Sequence, residues 1–384
     1  MTDLDQAYPA ISDLRARARR RLPRFVWDFV DSATGTEATA RRNRTALDAV
    51  RFRPAILTGE VTCDLRTRLL GHDYALPFGI SPVGMSGLIW PDAELRLARL
   101  GRDRDIAFCV SGVATKLPEE IGPHTDGRGW FQLYPPREPE VRRDMLDRIR
   151  NAGFDTLVFT VDVPVASRRE RQRRGGLTHP PRLSPRILAQ CVTRPAWSLA
   201  TARAVMKNGM PRLAFIESYT GKSGPLSSTD HVGYLIRTTP DWQYLQELRD
   251  IWPGKLLVKG VLEADDAVRL KDMGTDAVWV SNHGGRQFDG GLAAIEVLPA
   301  VRKAVGPDYP LIFDSGTEGG LDILRALALG ADFVMVGRAF HYGLAAFGDR
   351  GAAHVVDILT ADLKANLGQL GVAAFEGLAD RLVR

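Results

Sequence analysis

Cysteine is scarce in this sequence. Its 384 residues include three cysteines, Cys63, Cys109 and Cys191, and no two of them have the C-x-x-C spacing. This scarcity excludes a disulfide framework, argues against a cysteine-based zinc site and favours a reducing environment. We therefore expect a cytoplasmic protein without a bound metal.

Long apolar runs and export signals are also missing. No stretch approaches the roughly 18 consecutive apolar residues that cross a bilayer as a helix. Residues 1–5 lack the basic and then apolar layout of a secretory signal peptide. The sequence therefore predicts a protein that neither spans a membrane nor is exported.

Charge is close to balanced, with a formal net charge of +5, but the arginines are clustered. Residues 15–24 contain six arginines, and residues 168–174 contain five. Such clusters occur on solvated helix faces and on surfaces that bind nucleic acid, anionic lipid or an anionic small molecule. Because the aromatic-interleaved basic motifs of RNA-binding domains are absent, we do not expect nucleic acid as a partner. We interpret the first cluster as a solvated helix face.

From about residue 76 onward, short apolar runs alternate with segments of helical period. We predict strands at residues 76–82, 106–111, 129–134, 156–162, 256–260, 277–282, 311–315 and 333–337. Helical segments include residues 93–104, 138–152, 263–273, 293–305 and 320–329. Eight such units predict an α/β fold, a closed (β/α)8 TIM barrel with its active site at the carboxyl ends of the strands. A doubly wound sheet is disfavoured, because no G-x-G-x-x-G motif follows the first strand.

Two segments lie outside this alternation. Residues 1–75 form an N-terminal helical extension, with a helix predicted over residues 11–32 that Pro23 interrupts. The barrel spans residues 76–384, and residues 171–240, after the fourth strand, are an insert too long for an ordinary βα connection. The insert has amphipathic stretches at residues 187–192 and 197–206 and is rich in proline: Pro180, Pro181, Pro185 and Pro195. Insertions at the catalytic end of a barrel commonly act as lids or partner-binding loops.

Chemically useful residues follow the predicted strands where a barrel places its site. The sixth strand leads into S-N-H-G-G-R-Q-F-D at residues 281–289, where His283 and Arg286 offer a base and an anion clamp. The fourth strand ends at Asp162 and is followed by Arg169. A carboxylate facing a histidine raises its pKa and stabilises the imidazolium, and two arginines can clamp one carboxylate. Asp162 has an alternative role as the N-cap of the following turn.

Lysine at an apolar strand end requires an anionic partner, and Lys259 ends the fifth strand. It either meets an anionic reduced flavin or forms a Schiff base, and the second role does not need a histidine and arginine nearby. The seventh and eighth strands end in D-S-G and V-G-R, where barrels commonly bind phosphate on backbone amides. Further polar residues on the second and third strands complete one cofactor-lined mouth: Ser111, Gln132 and Tyr134.

Taken together, these residues resemble the FMN-dependent α-hydroxy acid dehydrogenase/oxidase family, which includes glycolate oxidase, L-lactate dehydrogenase and (S)-mandelate dehydrogenase. The resemblance extends from about Leu22 to the C-terminus, and S-N-H-G-G-R-Q-x-D is its most specific motif. The insert sequence L-x-x-C-V-T-R-P-x-W at residues 188–197 looks most like bacterial L-lactate dehydrogenases. The sequence L-I-W-P at residues 88–91 looks equally like mandelate dehydrogenase. The resemblance implies FMN, a 2-hydroxy acid substrate and a homotetramer.

Individual roles also follow from the resemblance. His283 would accept the α-proton or the hydroxyl proton of the substrate, with Asp162 as its partner. Tyr134 would contact the substrate oxygen, and Arg169 and Arg286 would clamp the substrate carboxylate. The FMN contacts would be Pro82, Val83 and Gly84 behind the ring, Ser111, Gln132 and Thr160 at its polar edge, Lys259 near N1, Asp314 on the ribityl chain, and Gly316, Gly337 and Arg338 at the phosphate.

Two positions depart from the family pattern. Phe29 stands where the family has a tyrosine whose hydroxyl helps to bind the substrate carboxylate, a contact worth about 1.5–3 kcal/mol. Phe29 would also suit a substrate with a bulkier or more apolar body. Glu318 stands where the family has an arginine on the FMN phosphate, so it would weaken that contact. Small residues, Gly84, Val113 and Ala166, would line a pocket with room for more than a methyl group.

We expect an enzyme that oxidises a lactate-like or mandelate-like L-2-hydroxy acid to the 2-oxo acid through FMN. One alternative is an unusual bulky hydroxy acid as substrate. Another, motivated by Phe29 and Glu318, is a barrel that has drifted into a binding role. The sequence leaves the electron acceptor open among oxygen, a quinone and a protein. The insert could dock on a membrane, which would place the protein peripherally on its inner face.

Overall fold

Eight parallel strands close into a barrel in the computed structural model, which describes residues 3–176, 184–219 and 239–383. In chain order the strands are β1 (Phe78–Ile80), β2 (Phe108–Ser111), β3 (Gly129–Leu133), β4 (Thr156–Thr160), β5 (Lys255–Val261), β6 (Ala277–Val280), β7 (Leu311–Phe313) and β8 (Phe333–Val336). Each pairs with its neighbours in the sequence, and β8 also pairs with β1. Every predicted strand overlaps an observed one, so the predicted (β/α)8 barrel is confirmed.

Bulky apolar side chains fill the amino-terminal end of the barrel. Trp130 on β3 and Trp279 on β6 meet edge to face, with ring centroids 6.4 Å apart. Phe333 on β8 lies 5.4 Å from Tyr74, which belongs to a hairpin of strands Thr67–Leu69 and His72–Tyr74 that precedes β1. The space for a ligand is therefore at the opposite end, where the strands end in polar residues.

Helices surround the barrel. Five agree with predicted segments to within one residue at each end: Ala93–Asp103, Pro139–Asn151, Ala264–Asp272, Ala294–Val305 and Gly320–Ala328. The extra predicted residues are the caps of these helices. Other helices are Ser86–Ile89, Pro118–Ile121, Trp242–Ile251, Arg338–Phe347 and Asp349–Leu370, with short 3-10 turns at Gly122–His124, His283–Gly285 and Leu378–Arg381.

The described residues before the barrel form the helices Leu4–Ala7, Ile11–Arg21, Arg24–Asp31 and Ala38–Ala49. The predicted interruption at Pro23 divides residues 11–32 into two helices, because proline lacks an N–H donor and here becomes the N-cap of the second helix. The first arginine cluster contacts protein as well as solvent. Arg19 and Arg20 are exposed, whereas Arg17 and Arg21 donate to carbonyls at the end of the helix Arg338–Phe347, so the predicted solvated face describes only part of this cluster.

Asp31 joins three distant parts of the chain. Its buried carboxylate accepts hydrogen bonds from Arg15 Nε, Arg171 Nη1 and the Tyr342 hydroxyl, each at 2.8 Å. Burial alone would raise the pKa of Asp31, but the hydrogen bonds and charges of these partners outweigh burial and lower it. Because Arg171 lies at the start of the insert, this cluster attaches the insert to the N-terminal extension and to the helix Arg338–Phe347.

Within the insert, the described residues form the helices Glu170–Gly175, Pro185–Val192, Pro195–Asn208 and Ala214–Glu217. The predicted amphipathic stretches, residues 187–192 and 197–206, lie within the second and third of these, whereas Pro180 and Pro181 lie outside the described residues. Trp197 Nε1 donates to the carbonyls of Leu88 and Ile89, which anchors the third helix beside the loop after β1. In the part of the chain that the structure describes, every helix is too short or too polar to span a bilayer.

Candidate active site

Polar residues that are distant in the sequence meet around the carboxyl ends of the strands, a region called the mouth below. Strand pairing places Ser111 beside Gln132 and Thr160 beside Lys259. Tyr134 follows β3 directly. Because parallel strands of a closed barrel all end on one rim, these side chains surround a single space.

The central contact of the mouth joins His283 to Asp162. His283 Nδ1 lies 2.9 Å from Asp162 Oδ1 and 3.1 Å from Oδ2, and the two side chains are 20% and 11% exposed. Burial lowers the pKa of His283, Asp162 opposes this effect, and the pKa remains below its usual value. The ring is therefore neutral at neutral pH. When Nδ1–H donates to Asp162, Nε2 can accept a proton.

Asp162 is a partner of this histidine and not a helix cap. The next helix in the described chain begins only at Glu170, so Asp162 is not the N-cap of a helix. Burial opposes ionisation of Asp162, but His283 and Lys259 outweigh burial and lower its pKa. Gly260 allows β5 and Asp162 to lie close together. Its φ is +105°, and a Cβ at this position would lie 2.5 Å from the Cβ of Asp162.

Arg286 is positioned by the N-terminal extension. Its Nη1 donates to the carbonyl of Ser32 at 2.5 Å and its Nη2 to the carbonyl of Phe29 at 3.0 Å, at the end of the helix Arg24–Asp31. Burial lowers the pKa of Arg286 well below its usual value, and the charges of Arg169 and Arg338 lower it further. Buried guanidinium groups that repel one another are stabilised by an anion between them.

The N-terminal extension also contacts Arg169, the second predicted clamp residue. Arg169 has a left-handed φ of 45°, and its N–H donates to Thr34 Oγ1 at 3.2 Å. The adjacent Glu170 accepts a hydrogen bond from the N–H of Gly35 at 2.8 Å. The extension therefore holds the guanidinium of Arg286 and the backbone of Arg169, whereas Arg169 Nε donates to Ser167 Oγ at 3.1 Å.

The pKa of Tyr134 depends on several charged groups of the mouth. Burial raises the pKa of its hydroxyl and Asp162 raises it further, whereas Arg169, Lys259 and Arg286 lower it. These charges act on one hydroxyl because they line the same space. The structure thus brings together the predicted base, its carboxylate, the hydroxyl and both arginines.

Lys259 is 4% exposed near the end of β5. Its Nζ donates to Ser281 Oγ at 2.9 Å and lies 3.3 Å from Asp314 Oδ2. Burial lowers the pKa of Lys259, but Asp314 and Asp162 outweigh burial and raise it. A Schiff-base lysine must lose its proton to react, so a raised pKa argues against that role. The ammonium is suited to a negatively charged ligand group.

Two buried polar groups of the mouth have no hydrogen-bond partner among the residues that the structure describes. Gln132 Nε2 and Thr160 Oγ1 are buried without a hydrogen bond, whereas Gln132 Oε1 accepts from Ser111 Oγ at 3.0 Å. An unmatched buried polar group costs about 1–3 kcal/mol, so both groups suit a ligand with its own donors and acceptors. The polar edge of a flavin ring has carbonyls and an N–H, and these residues fit it.

The loops after β7 and β8 have features suited to an anion. The ten-residue helix Arg338–Phe347 begins directly after Gly337, so its first N–H groups are available to a phosphate. Arg338 Nη2 donates to the carbonyl of Gly284 at 3.1 Å, and Gly316 has a left-handed φ of 97°. The cations of the mouth outnumber its carboxylates: Lys259, Arg169, Arg286 and Arg338 face Asp162 and Asp314. A phosphate and a substrate carboxylate would neutralise this excess.

Glu318 and the small residues Gly84, Val113 and Ala166 lie in segments that follow strands of the barrel. Glu318 is exposed on the loop that leads to the helix Gly320–Ala328, and its negative charge acts on Arg15 to raise the pKa of that arginine. Gly84 and Val113 are neighbours, because a Cβ on Gly84 would lie 2.6 Å from Val113 Cγ2. Pro82 and Val83 directly precede Gly84 after β1. Ala166 is exposed, and its place in the substrate pocket stays a prediction.

Other residues that hold the mouth together were not predicted. Asp289, at the end of the 281–289 motif, accepts from the N–H of Thr36 at 2.8 Å and of Thr39 at 3.0 Å. It therefore anchors the N-terminal extension. Asn282 and Asn43 exchange side-chain hydrogen bonds at 2.6 and 2.9 Å. The motif marked Asp289 and Asn282 as notable, but no local pattern indicates partners more than 200 residues away.

Known proteins are similar to this chain over nearly all of its length. The family model described as FMN-dependent dehydrogenase matches residues 18–384. The L-lactate dehydrogenase of Pseudomonas syringae pv. syringae (strain B728a) is 37% identical over 369 residues, which cover 95% of this chain and 95% of that protein. The L-lactate dehydrogenase of Stenotrophomonas maltophilia (strain R551-3) is 38% identical over 359 residues, with 92% and 93% of the two chains covered.

Solved structures of similar proteins also cover nearly all of this chain. The monotopic membrane protein (S)-mandelate dehydrogenase has a TM-score of 0.90 and 35% identity, covering 97% of this chain and 98% of that one. Mandelate oxidase with benzoyl-formic acid has a TM-score of 0.80 and 30% identity, with 98% of both chains covered. The resemblance inferred from the sequence is confirmed, and the chain belongs to the FMN-dependent dehydrogenase family.

Proposed function

We propose that this FMN-dependent enzyme oxidises an L-2-hydroxy acid to the 2-oxo acid, with His283 as the base. The observation that carries the proposal is the 2.9 Å contact between His283 Nδ1 and Asp162 in a mouth that also contains Arg169 and Arg286. A base beside a carboxylate clamp meets both chemical needs of a 2-hydroxy acid. The names of the similar proteins support this substrate class, since they refer to L-lactate and to mandelate.

In the proposed reaction the substrate carboxylate binds Arg169 and Arg286, and its hydroxyl group lies near Tyr134. Oxidation removes two electrons and two protons from the acid. His283 Nε2 accepts one of these protons, either from the α-carbon or from the hydroxyl group, and the charge of Asp162 stabilises the resulting imidazolium. The electron pair and the second proton would pass to FMN, which supplies the redox chemistry when it is bound.

The FMN contacts remain those expected from the family resemblance. The unpartnered groups of Gln132 and Thr160 support a flavin ring at this place. We propose that the ring and its chain are held by Pro82, Val83, Gly84, Ser111, Gln132, Thr160, Lys259 and Asp314, and the phosphate by Gly316, Gly337 and Arg338. We also propose that residues 1–75 form an extension that packs on the barrel and holds this site. Residues 171–240 act as a docking insert. The enzyme is a homo-oligomer.

Phe29 favours a substrate with an apolar body as the second candidate. Its ring is 8% exposed, and the guanidinium carbon of Arg286 lies 5.9 Å from the ring centroid. A phenylalanine here offers the substrate an apolar surface and no hydroxyl. A mandelate-like or other bulky 2-hydroxy acid would use that surface better than lactate.

Anaerobic flavin reduction tests the proposed activity. Purified enzyme saturated with FMN should lose its yellow colour when L-lactate or (S)-mandelate is added without oxygen, and the faster acid identifies the preferred side chain. The R enantiomers serve as matched controls and should react far more slowly. Loaded enzyme that neither acid bleaches would refute the proposal. Adding oxygen or a quinone to the reduced enzyme then identifies the electron acceptor.

Replacing Asp162→Asn tests the assigned base. Asp162 raises the pKa of His283 against burial, so without its charge that pKa falls further. His283 accepts a proton only when neutral, so the acid limb of kcat/KM should move to lower pH. The maximal rate of flavin reduction should fall by about 100-fold or more, because the imidazolium loses its counter-charge. An unchanged acid limb in stopped-flow measurements would assign the base elsewhere.

Glu318 is expected to weaken FMN binding through its negative charge near the phosphate loops. At low salt, the Glu318→Gln variant of the apoprotein should bind FMN about tenfold more tightly, as measured by quenching of flavin fluorescence. Riboflavin has no phosphate, so its affinity should not change. Glu318→Asp keeps the charge and is the matched control. Equal gains for FMN and riboflavin would contradict this account.

The insert presents an apolar and basic surface, which we propose docks on an anionic membrane. The exposed apolar side chains of its described residues are Leu188, Val192, Leu199, Met206 and Met210, and exposed basic ones are Arg186, Arg203, Lys207 and Arg212. The inner side of the same helices is anchored by the buried Ile187 and Trp197. Basic residues near an anionic surface contribute about 1 kcal/mol each. A structural relative described as a monotopic membrane protein supports this placement.

Vesicle sedimentation tests the docking surface. The enzyme should sediment with vesicles of phosphatidylglycerol and phosphatidylcholine at low salt and be released by high salt. The double variant Val192→Ser with Met206→Ser, at positions 79% and 81% exposed, should remain in the supernatant. Ile56→Ser with Leu57→Ser removes equally exposed apolar groups outside the insert and should bind like the unchanged enzyme. Loss of binding in both double variants would reject this surface.

A further inference from the structure

Ser315 follows Asp314 directly after β7 and is 8% exposed. Its hydroxyl donates to Asp314 Oδ1 at 2.8 Å. The same oxygen accepts hydrogen bonds from the N–H of Asn282 at 3.2 Å and of Gly284 at 3.1 Å. One side chain therefore joins the loop after β7 to the turn that contains the proposed base.

Backbone strain makes the serine at this position notable. Ser315 has a φ of 93°, in the left-handed region that glycine adopts freely. A residue with a side chain in such a region is strained and keeps this conformation only where its surroundings compensate. Three hydrogen bonds of the hydroxyl provide that compensation.

Ser281 contacts the same turn from the other side. Its Oγ accepts hydrogen bonds from the N–H of His283 at 3.0 Å and from Lys259 Nζ at 2.9 Å. Lys259 in turn lies 3.3 Å from Asp314 Oδ2. The consecutive N–H groups of residues 282, 283 and 284 are thus all bound by two serine hydroxyls, which are connected through the Lys259–Asp314 ion pair.

We propose that Ser315 is a positioning residue for His283. The Ser315 hydroxyl fixes the histidine turn relative to Asp162 and to the Lys259–Asp314 pair. The proposal rests on the proposed function, in which His283 is the base. His283 itself has a left-handed φ of 56°, so the turn needs external contacts to keep this conformation. The guanidinium of Arg286 has contacts of its own outside this turn, because it donates to the carbonyls of Ser32 and Phe29 in the N-terminal extension.

Two substitutions of Ser315 distinguish the effect of its hydroxyl group from the effect of backbone strain. Ser315→Ala removes the hydroxyl and keeps the strained backbone, whereas Ser315→Gly removes both. With both FMN and substrate saturating, flavin reduction in both variants should be at least about tenfold slower than in the unchanged enzyme, because small displacements of a catalytic group are costly. The apparent KM should change by less than about threefold, since the arginine clamp is intact. The acid limb should move to lower pH, because a looser turn weakens the effect of Asp162 on His283.

Asp126 provides a matched control for backbone strain. It is exposed, lies at the amino-terminal end of β3 and has a left-handed φ of 54°. Asp126→Gly should be more stable than Asp126→Ala in thermal unfolding, and both should reduce flavin like the unchanged enzyme. Ser315→Gly should likewise exceed Ser315→Ala in stability without recovering activity.

A purely structural role for Ser315 makes the opposite prediction. Relief of strain would then leave Ser315→Gly with the flavin reduction rate, KM and acid limb of the unchanged enzyme, and that result would overturn the positioning role. Failure of the proposed function gives a different result, because the unchanged enzyme loaded with FMN would not be reduced by either hydroxy acid.

Discussion

Hydrogen bonding between β8 and β1 closes the sheet, and the candidate site depends on that closure. The paired residues Val334 and Phe78, Met335 and Gly79, and Val336 and Ile80 join the last strand to the first. All eight strands are parallel, so their carboxyl ends meet on one rim. Asp162 and His283, which are 121 positions apart in the sequence, therefore come within hydrogen-bond distance. The aromatic residues at the other end fill the interior and leave the polar rim for ligands.

The barrel alone does not complete the site, because the N-terminal extension fixes its arginines. The carbonyls of Ser32 and Phe29 hold Arg286, and Thr34 contacts the backbone of Arg169. Asp31 and Asp289 attach this extension to the insert and to the loop after β6. Carbonyl groups at a helix end carry partial negative charge, so they stabilise a buried guanidinium without neutralising it. The arginine can then still bind an anionic substrate.

The mouth is organised around an excess of positive charge. Lys259 has the Asp314 carboxylate at 3.3 Å, and His283 has that of Asp162 at 2.9 Å, whereas the guanidinium of Arg286 meets only neutral carbonyls among the contacts described here. Lys259 and His283 thus each have a carboxylate partner, whereas the neutral contacts of Arg286 leave its charge suited to an anion. The serine hydroxyls at positions 281 and 315 connect these two ion pairs through the backbone of the histidine turn. Geometry and charge in the mouth are therefore linked.

The sequence by itself determined the barrel, the positions of five of its helices to within one residue at each end, and the polar residues at the strand ends. It could do so because apolar periodicity and the residues that follow each strand are local properties. Only the tertiary structure decided that Asp289 anchors the extension and that Ser315 contacts the histidine turn. These contacts join residues from different strand ends or from the extension. Barrel closure and packing bring such residues together, and no local pattern records their partners.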